Sequence, residues 1–580
     1  MPRDHQRGTG HCDKIGDVLV AEAVADRGEM ITRARTAMGR ALASRPVATA
    51  LLDGVVRPGL TVFDYGCGRG ADLRHLRHLG FQALGWDPVF APDEPLVPAD
   101  VVNLGYVVNV IEDQKERVAV LRDAWRLARR VLIVAARLQW EANGLAGAKA
   151  NDGWRTTKGT FQRFYAQDEL RAWIESALAT QAVAAAPGIF YVFRERGEAE
   201  SLLAERARQE TVGTGLRIAD LLYEQHRAIL QPLRLFVSEH RRLPAPLELP
   251  QCTNINEVFG TVRSAFLVIR RVTGPAQWDD INLGAVGHRA ERRFVDHQEL
   301  LQPLLEFLEQ RGRLPHPDEL ANEEEVIATL GSVRRAFSVV RRATGEGRWE
   351  EIAGRRREDF LVYLALSAFG GRPRFSDLPD DLQHDARDFF GSHRLATQEA
   401  DALLFAAGDL QARDAASKEA SVGKVTPEAL YAHVKELGSL PAVLRIYEGC
   451  GRALSGTVEA ANLLKLHRLK SQVSYLSYPT FDSDPHPALA TVVISRLARL
   501  DVTYRDFTDS ANPPVLHRKE TFVGPLYPGR DKFARLTEQE ERRGLLDEPT
   551  DIGTRDGWAN RLQLLGWSTR GHRLVRVPRR

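Results

Sequence analysis

The sequence has few cysteines and no long apolar run. Its four cysteines, at positions 12, 67, 252 and 450, form no CxxC pair and show no zinc-ligand spacing. We therefore expect neither a disulfide framework nor a metal site. No stretch of about 18 consecutive apolar residues occurs, which predicts that no helix crosses a membrane. The first residues are charged and lack the apolar core of a secretory signal, so we expect a cytoplasmic protein.

The chain also lacks an excess of charge of either sign. Lys and Arg number 79 against 77 Asp and Glu, giving a net charge of +2. The total charge therefore offers no argument for a nucleic-acid partner, and any such argument must be local. With 43% hydrophobic and 27% charged residues the composition is that of a globular protein. At roughly 100 to 200 residues per domain, 580 residues predict three to five domains.

The N-terminal third predicts an α/β domain. Residues 1–29 are polar, and we expect them to form a disordered extension, with Met30 as an alternative start. From about residue 40 to 195, short apolar runs alternate with helical stretches. That alternation is typical of a parallel sheet covered by helices on both faces. We assign this domain to residues 30–198.

An internal repeat follows. Residues 230–281 align with 301–352 at a constant offset of 71, and 23 of the 52 positions are identical. Apolar residues recur at helical spacing in each copy. Each unit is predicted to be a helix, an RLP turn and a second helix ended by Thr-Gly. We assign two helical repeats, to residues 199–285 and 286–357.

The remainder predicts a helical segment and a further domain. Residues 358–425 are predicted to be helical, with a polar linker near 411–425. Residues 426–580 mix helical stretches with proline-rich turns, so we expect a compact but irregular α+β C-terminal domain that binds DNA or a partner. Its end, STRGHRLVRVPRR, has five arginines and no acid.

A glycine-rich segment, VFDYGCGRG, carries the strongest chemical signal. It ends the first predicted strand and contains Asp64, Gly66, Gly68 and Gly70. Glycines let the backbone approach a ligand closely and adopt positive φ. A carboxylate beside them disfavours a diphosphate and suits a ligand with an ammonium group, which favours S-adenosylmethionine over a dinucleotide. An ordinary tight turn is the alternative.

Two further features fit the same pocket. Asp87 closes the next strand, 21 residues after Gly66, where a carboxylate can bind ribose hydroxyls. The segment ADVVNLGYVVNVIED is expected to end a fourth strand, at the carboxyl edge where open α/β sheets bind ligands.

These segments resemble the class I S-adenosylmethionine-dependent methyltransferases over about residues 55–195. FDYGCGRG, GWDP, ADVVNLGYVVNVIED and GTFQRFY are similar to the methyltransferases associated with bacterial DNA phosphorothioation systems, and LHRKETFV and RLTEQEERRGLL extend the similarity. The resemblance implies a Rossmann-like domain that binds S-adenosylmethionine through Asp64, Gly66, Gly68, Gly70 and Asp87. It implies DNA and proteins of such a system as partners and leaves the methyl acceptor open.

Methyl transfer needs mainly alignment of the acceptor with the methyl group and sulfur. Candidates to line the acceptor side, each with a packing role as the alternative, are Asn103, Tyr106, Asn109, Phe161 and Tyr165. Cys67 is interpreted as a small space-filling residue, because no neighbouring His or Cys would activate its thiol. The (D/N)PP(Y/F) tetrapeptide that grips a flipped base is absent after the fourth predicted strand, which disfavours adenine-N6 chemistry.

Two C-terminal segments imitate functional motifs. Asn512-Pro513-Pro514-Val515 lies far from the glycine-rich strand, and we interpret it as a turn. Asp482, Asp484 and His486 are possible metal ligands by residue type, but their proline-rich setting favours an Asx-type loop.

Local basicity lies in the repeats. Residues 331–357 contain eight arginines against three acids. The arginines predicted to contact phosphates, with a solvated helix face as the alternative, are Arg263, Arg270, Arg271, Arg334, Arg341 and Arg342. Two hypotheses remain open: a methyltransferase whose later domains recognise DNA or a protein partner, and a catalytically silent accessory protein that uses the methyltransferase fold as a scaffold.

Overall fold

A computed structural model describes residues 43–142, 145–208, 223, 226–245, 248–259, 261–278, 281, 288–344, 346–547 and 551–577. The expected extension over 1–29 and the start at Met30 lie outside these residues. The chain divides into two compact units: the described residues up to Leu202 together with those after Leu403, and Leu203–Leu403. Among the residues described, no helix has the length and apolar character needed to cross a membrane.

The first unit contains a six-stranded sheet with helices on both faces. The strands are β1 (Thr61–Tyr65), β2 (Gln82–Trp86), β3 (Ala99–Gly105), β4 (Ala128–Ala135), β8 (Val183–Ala186) and β9 (Ile189–Phe193). Their order in the sheet is β2-β1-β3-β4-β9-β8, with β9 antiparallel to its neighbours and the other strands mutually parallel. The helices are α1 (Arg45–Leu52), α2 (Ala71–His78), α3 (Gln114–Leu127), α4 (Gln167–Leu178) and α5 (Arg196–Ala207).

Alternate residues of the central strands enter two different cores. Val102 and Leu132 pack in the core on one face, whereas Val101 and Val131 pack in the core on the other. Successive side chains of a strand point to opposite faces, so a sheet covered on both sides needs apolar residues at nearly every position. The Rossmann-like domain predicted from the sequence is confirmed in this architecture.

One prediction for this domain is wrong. The segment ADVVNLG was expected to belong to the fourth strand, but it forms β3, the third strand in chain order. Residues 88–98 between β2 and β3 contain four prolines and form neither a strand nor a helix. Proline lacks the N–H that a sheet ladder requires, which explains why no strand forms there.

A small antiparallel sheet follows β4 in the chain. It consists of β5 (Gly147–Ala150), β6 (Gly153–Thr156) and β7 (Phe161–Gln162). After it, Tyr165 forms a parallel β-bridge with Leu138, so the chain returns beside the residues that follow β4 before α4 begins. The sequence did not indicate these strands.

The second unit is helical, and the two copies of the repeat have equivalent elements. The helices are α6 (Arg227–His240), α7 (Cys252–Phe259), α8 (Val262–Thr273), α9 (His288–Arg311), α10 (Glu323–Leu330), α11 (Val333–Thr344), α12 (Glu346–Leu366), α13 (Asp380–Phe390) and α14 (His393–Gly408). The bounds of α7 and α8 match those of α10 and α11 at the offset of 71. Each copy thus has a short helix after the RLP turn that the prediction omitted.

Side-chain contacts recur at the same offset. Phe266 meets Trp278 edge-on at a ring-centroid distance of 5.4 Å, and the equivalent Phe337 meets Trp349 at 6.0 Å. The expected boundary at residue 357/358 falls inside the continuous helix α12. Residue 286, the expected start of the second repeat, lies outside the described residues.

After α14, the chain forms a second sheet. The six strands are β10 (Lys424–Val425), β11 (Ala429–His433), β12 (Leu463–His467), β13 (Gln472–Ser477), β14 (Thr491–Arg496) and β15 (Asp501–Asp506), each antiparallel to the next. The same region contains four helices: α15 (Leu410–Glu419), α16 (Ala442–Ser455), α17 (Arg530–Arg542) and α18 (Arg555–Leu565). It ends in a hairpin of β16 (Trp567–Thr569) and β17 (Leu574–Arg576).

Two expectations about this region are wrong. The sheet is a regular meander, so the C-terminal domain is not irregular. The polar segment expected as a linker contains α15, and its Arg413 is 1% exposed with its guanidinium 4.3 Å from the Tyr447 ring centroid. The polar composition wrongly predicted a linker, because an arginine can be buried in a core when its guanidinium stacks on an aromatic ring.

Candidate functional site

The glycine-rich turn joins β1 to α2 and requires its glycines. Gly66, Gly68 and Gly70 have φ values of +85°, +51° and +69°, in the left-handed region. The N–H of Gly66 donates to the carbonyl of Trp86 at 2.8 Å, which ties the turn to β2. Gly70 caps the N-terminus of α2. Residues with a Cβ rarely adopt these φ values, so the spacing of the glycines follows from the backbone path.

Gly66 is also required for space. A Cβ atom placed on it would lie 2.5 Å from Cγ2 of Val107, in the loop that follows β3. The turn and this loop are therefore in close contact at the carboxyl edge of the sheet.

Asp64 lies under the turn and is 4% exposed. Its Oδ1 accepts a hydrogen bond of 2.8 Å from Nδ2 of Asn103, the residue beside it on β3. The Oδ1 of Asn103 is buried and has no hydrogen-bond partner. Asn103, predicted to line the acceptor side, thus contacts the predicted cofactor ligand Asp64 directly.

Asp87 joins the end of β2 to the glycine-rich turn. Its Oδ2 accepts from the N–H of Gly68 at 3.0 Å, and its Oδ1 accepts from the N–H groups of Val89 and Phe90 at 2.9 and 3.0 Å. The side chain is half-buried. Each carboxylate oxygen has two lone-pair sites, so Asp87 can accept further hydrogen bonds while it holds the turn.

The carboxylates of Asp64 and Asp87 both affect the thiol of Cys67 in the turn. Burial raises the pKa of the Cys67 thiol to about 12, and the charges of Asp64 and Asp87 add to that increase. The thiol is therefore protonated at neutral pH, which agrees with its interpretation as a space-filling residue. The smaller contributions to this shift, the negative charges of Asp64 and Asp87, favour a positively charged ligand at the turn.

The loop after β3 is fixed by its neighbours. Tyr106 has a φ of +62°, and its N–H donates to the carbonyl of Ala135 on β4 at 2.8 Å. Asn109 is 1% exposed, and its Nδ2 donates to Gln162 of β7 at 3.0 Å. Oδ1 of Asn109 is buried and has no hydrogen-bond partner. These two acceptor candidates therefore hold the loop between the large and small sheets.

Phe161 and Tyr165 belong to the core. Each is 1% exposed, and Tyr165 lies 6.0 Å from the ring of Trp173. Burial raises the pKa of the Tyr165 hydroxyl, which accepts a long hydrogen bond of 3.4 Å from Arg117. Their packing role, left open as the alternative, is the one that the structure favours.

A buried ion network beside these residues was missed. Arg117 is 3% exposed and donates to both carboxylate oxygens of Asp152, at 2.6 and 2.8 Å. Arg163 pairs with the same Asp152 and with Glu169 at 2.5 Å. The network fastens the small sheet to α3. The partners are separated by up to 35 positions in the sequence, and no local pattern signals such a pairing.

The predicted phosphate-binding arginines of the repeats are not equally available. Arg334 is exposed, whereas Arg263, Arg270 and Arg341 are half-buried and each interacts with other groups of the chain. The side chains of Arg271 and Arg342 lie outside the described residues.

The segment with Asp484 and His486 contains a turn, whereas the segment 512–515 is a bend whose Pro514 and Val515 form isolated β-bridges. Asp484 Oδ1 accepts from the N–H of His486 at 2.9 Å, which is an Asx-type turn. Within the described part of the chain, no group of three or more His, Cys, Asp and Glu side chains could hold a metal ion. Oδ1 of Asn512 accepts from the N–H of Asp556 at 2.9 Å and so helps to hold the start of α18.

No family model matches the chain, and no curated protein matches it. Among solved structures, a 1,6-didemethyltoxoflavin-N1-methyltransferase from Burkholderia thailandensis, with bound 1,6-didemethyltoxoflavin and S-adenosylhomocysteine, is 16% identical. The match covers 26% of this chain and 76% of that one, with a TM-score of 0.20. The magnesium protoporphyrin IX methyltransferase of Synechocystis PCC 6803, with bound S-adenosylhomocysteine, is also 16% identical, with 28% and 93% covered and a TM-score of 0.19.

Proposed function

We propose that this protein is an S-adenosylmethionine-dependent methyltransferase that binds its cofactor at the glycine-rich turn. The observation that carries the proposal is the position of two carboxylates at the turn: Asp64 is buried beneath it, and Asp87 accepts from the N–H of Gly68 at 3.0 Å. A cofactor with a sulfonium and an ammonium group suits such a negative potential, and a diphosphate does not. Gly66 is required because Val107 packs against it, which brings the loop after β3 beside the turn at the carboxyl edge of the sheet.

The residues have separable roles in this proposal. Gly66, Gly68 and Gly70 allow the cofactor to approach the backbone, Asp64 stabilises its positive end, and Asp87 accepts its ribose hydroxyls. When bound, the cofactor supplies the electrophilic methyl group. The protein then has mainly to align the acceptor and exclude water.

The biological setting is a further part of the proposal. The similarity of LHRKETFV and RLTEQEERRGLL to phosphorothioation-associated methyltransferases supports a place in DNA modification or restriction, with DNA or proteins of such a system as partners. DNA is the acceptor that the arginine-rich C-terminus favours. The second candidate is a catalytically silent accessory protein. The burial of Phe161 and Tyr165 favours it, because side chains packed inside the domain do not line an acceptor site.

Isothermal titration calorimetry tests cofactor binding. Wild type should bind S-adenosylmethionine, and Asp64→Asn should bind it at least tenfold more weakly, because the substitution removes the charge at almost constant shape. Asp93→Asn is the matched control, since Asp93 is exposed in the loop that follows β2. Absence of binding by wild type would refute the proposal.

Incubation with radiolabelled cofactor separates the two candidate functions. The acceptors to compare are plain duplex DNA, phosphorothioate DNA and a cell lysate. Label in the DNA supports the methyltransferase acting on DNA, and label in a lysate protein points to a protein acceptor. Saturated cofactor binding with label in none of them favours the accessory protein.

A further inference from the structure

The last helix and hairpin form one packed element with a free outer side. Trp558 of α18 is buried in a small core with Leu545 and Ile552, and Trp567 and Leu574 of the hairpin pack against it. The hairpin register pairs Trp567 with Arg576 and Thr569 with Leu574. The position of the hairpin relative to α18 is therefore fixed by this core.

The basic charge of the outer side lies mostly on the hairpin, since α18 exposes one arginine, Arg555, beside the exposed Asp556. Residues 551–577 contain five arginines and two aspartates and no lysine or glutamate. Four of the arginines are exposed and form no ion pair within the part of the chain that the structure describes: Arg555, Arg570, Arg573 and Arg576. Arginines of the preceding segment differ, since Arg518 pairs with Glu541 and Arg542 with Glu538. The charge of the helix and hairpin is thus available to a partner.

The hairpin tip is anchored from within. The N–H of Arg570 donates to the carbonyl of Arg573 at 2.9 Å, and Gly571 between them has a φ of +52°. Nε2 of His572 lies 2.8 Å from Nζ of Lys519, which is 2% exposed. Lys519 also donates to two backbone carbonyls, at 2.7 and 2.5 Å. Arg570 and Arg573 therefore flank a turn that is already held in place, so binding of a ligand there loses little further conformational entropy.

The outer face of α18 carries side chains suited to base edges. Asn560 and Gln563 are exposed and three residues apart, hence on one face, while Trp558 and Leu562 face the core. Carboxamides pair with adenine in the major groove, and the major groove, about 12 Å wide, admits an α-helix.

We propose that α18 and the β16–β17 hairpin form a docking surface for duplex DNA, with α18 in the major groove and Arg570 and Arg573 on the flanking phosphates. The guanidinium group fits phosphate in a bidentate manner, which favours a polyanion. Single-stranded nucleic acids are usually held by stacking on exposed aromatic side chains. Residues 551–577 expose none, since Trp558 is buried and Trp567 is half-buried. This inference deepens the proposed link to DNA.

Fluorescence anisotropy with the full chain and a labelled 20-base-pair duplex tests the surface, in the absence of cofactor. Arg570→Glu/Arg573→Glu should weaken binding at least tenfold, and the slope of log K against log salt should fall by about two. Arg57→Glu/Arg499→Glu is the control of equal charge change, because both residues are exposed and lie elsewhere in the same compact unit. Thermal unfolding checks that both variants fold. If Arg570→Glu/Arg573→Glu does not fold, Arg570→Ala/Arg573→Ala replaces it.

Three results would overturn the proposal. The first is duplex binding by the hairpin variant within twofold of wild type. The second is equal or tighter binding of a single-stranded 20-mer or of duplex RNA. The third is loss of binding only when Arg334 and Arg335 of the repeats are reversed to Glu. Calorimetry with the cofactor does not depend on these three DNA-binding results. A failure of the proposed DNA surface is therefore distinguishable from a failure of the proposed methyltransferase function.

Discussion

Replacing Asp87 with Asn should weaken cofactor binding without unfolding the domain. In wild type, Oδ2 of Asp87 accepts from Gly68, and Oδ1 accepts from Val89 and Phe90. Asparagine has only one acceptor oxygen. If this oxygen keeps the bonds to Val89 and Phe90, the NH₂ group faces the N–H of Gly68, and two donors meet. The turn therefore loses one of its bonds to the end of β2, while the bond from Gly66 to Trp86 remains, and the site loses the negative charge that favours the proposed cofactor.

The expected magnitude follows from the hydrogen bond between the Asp87 carboxylate and a ribose hydroxyl of the cofactor that the proposed function assigns. A hydrogen bond to a charged group contributes about 1.5–3 kcal/mol. Loss of one such contribution corresponds to roughly 10- to 150-fold in Kd. Unfolding should change little, because Asp87 is half-buried and the three N–H groups can reach water. Calorimetry with S-adenosylmethionine measures the affinity, and thermal unfolding without ligand measures the stability. Binding by Asp87→Asn within twofold of wild type, with Asp93→Asn as the control, would contradict this account of the turn.

Three further predictions concern reactivity, packing and pH. Cys67 should resist iodoacetamide at pH 8 in the folded protein, because its thiol has a pKa of about 12; rapid alkylation seen by mass spectrometry would contradict this. Gly456→Ala should cost about 2–4 kcal/mol in urea unfolding, since φ is +73° and a Cβ would lie 2.5 Å from the backbone of Ala186. Gly59→Ala, at φ +89° with open space, should cost less. The melting temperature should fall between pH 7.5 and pH 5, and an equal or higher value at pH 5 would refute the reasoning. Burial lowers the pKa of His486, His517 and His572 to about 3, 4 and 4, so their contribution to stability is present above pH 6.5 and is lost as the pH falls toward those values. Burial raises the pKa of Glu540 to about 7, and this carboxyl group opposes the three histidines by binding a single proton.

Features that depend on local backbone geometry could be predicted from the sequence. The glycine-rich turn was recognisable because only glycine adopts the φ values of positions 66, 68 and 70 without strain. The repeat was recognisable because the same helices and the same Phe-Trp contact require similar residues at a constant offset.

Features that depend on contacts between distant residues could not be predicted. The C-terminal meander joins strands whose pairing no single segment reveals, and Arg413 is stabilised by Tyr447, 34 positions away. The same holds for Asn103, whose role beside Asp64 becomes visible only when β1 and β3 are paired. Acceptor-side residues were inferred from one strand with its loop and from the segment GTFQRFY, and such positions do not distinguish a substrate contact from a packing contact.

The C-terminal sheet and the methyltransferase-like sheet are joined by specific contacts within one compact unit. Oγ1 of Thr49 donates to Glu459 at 2.6 Å, and the ring of Trp140 stacks on Tyr504 at a centroid distance of 5.6 Å and an angle of 15°. The N–H of Thr457 donates to the carbonyl of Ala185 on β8 at 2.8 Å. A duplex held by Arg570 and its neighbours would thus keep a defined position relative to the glycine-rich turn. Such a fixed position is what alignment of an acceptor with a methyl group demands, whereas a binding scaffold alone has no need of it.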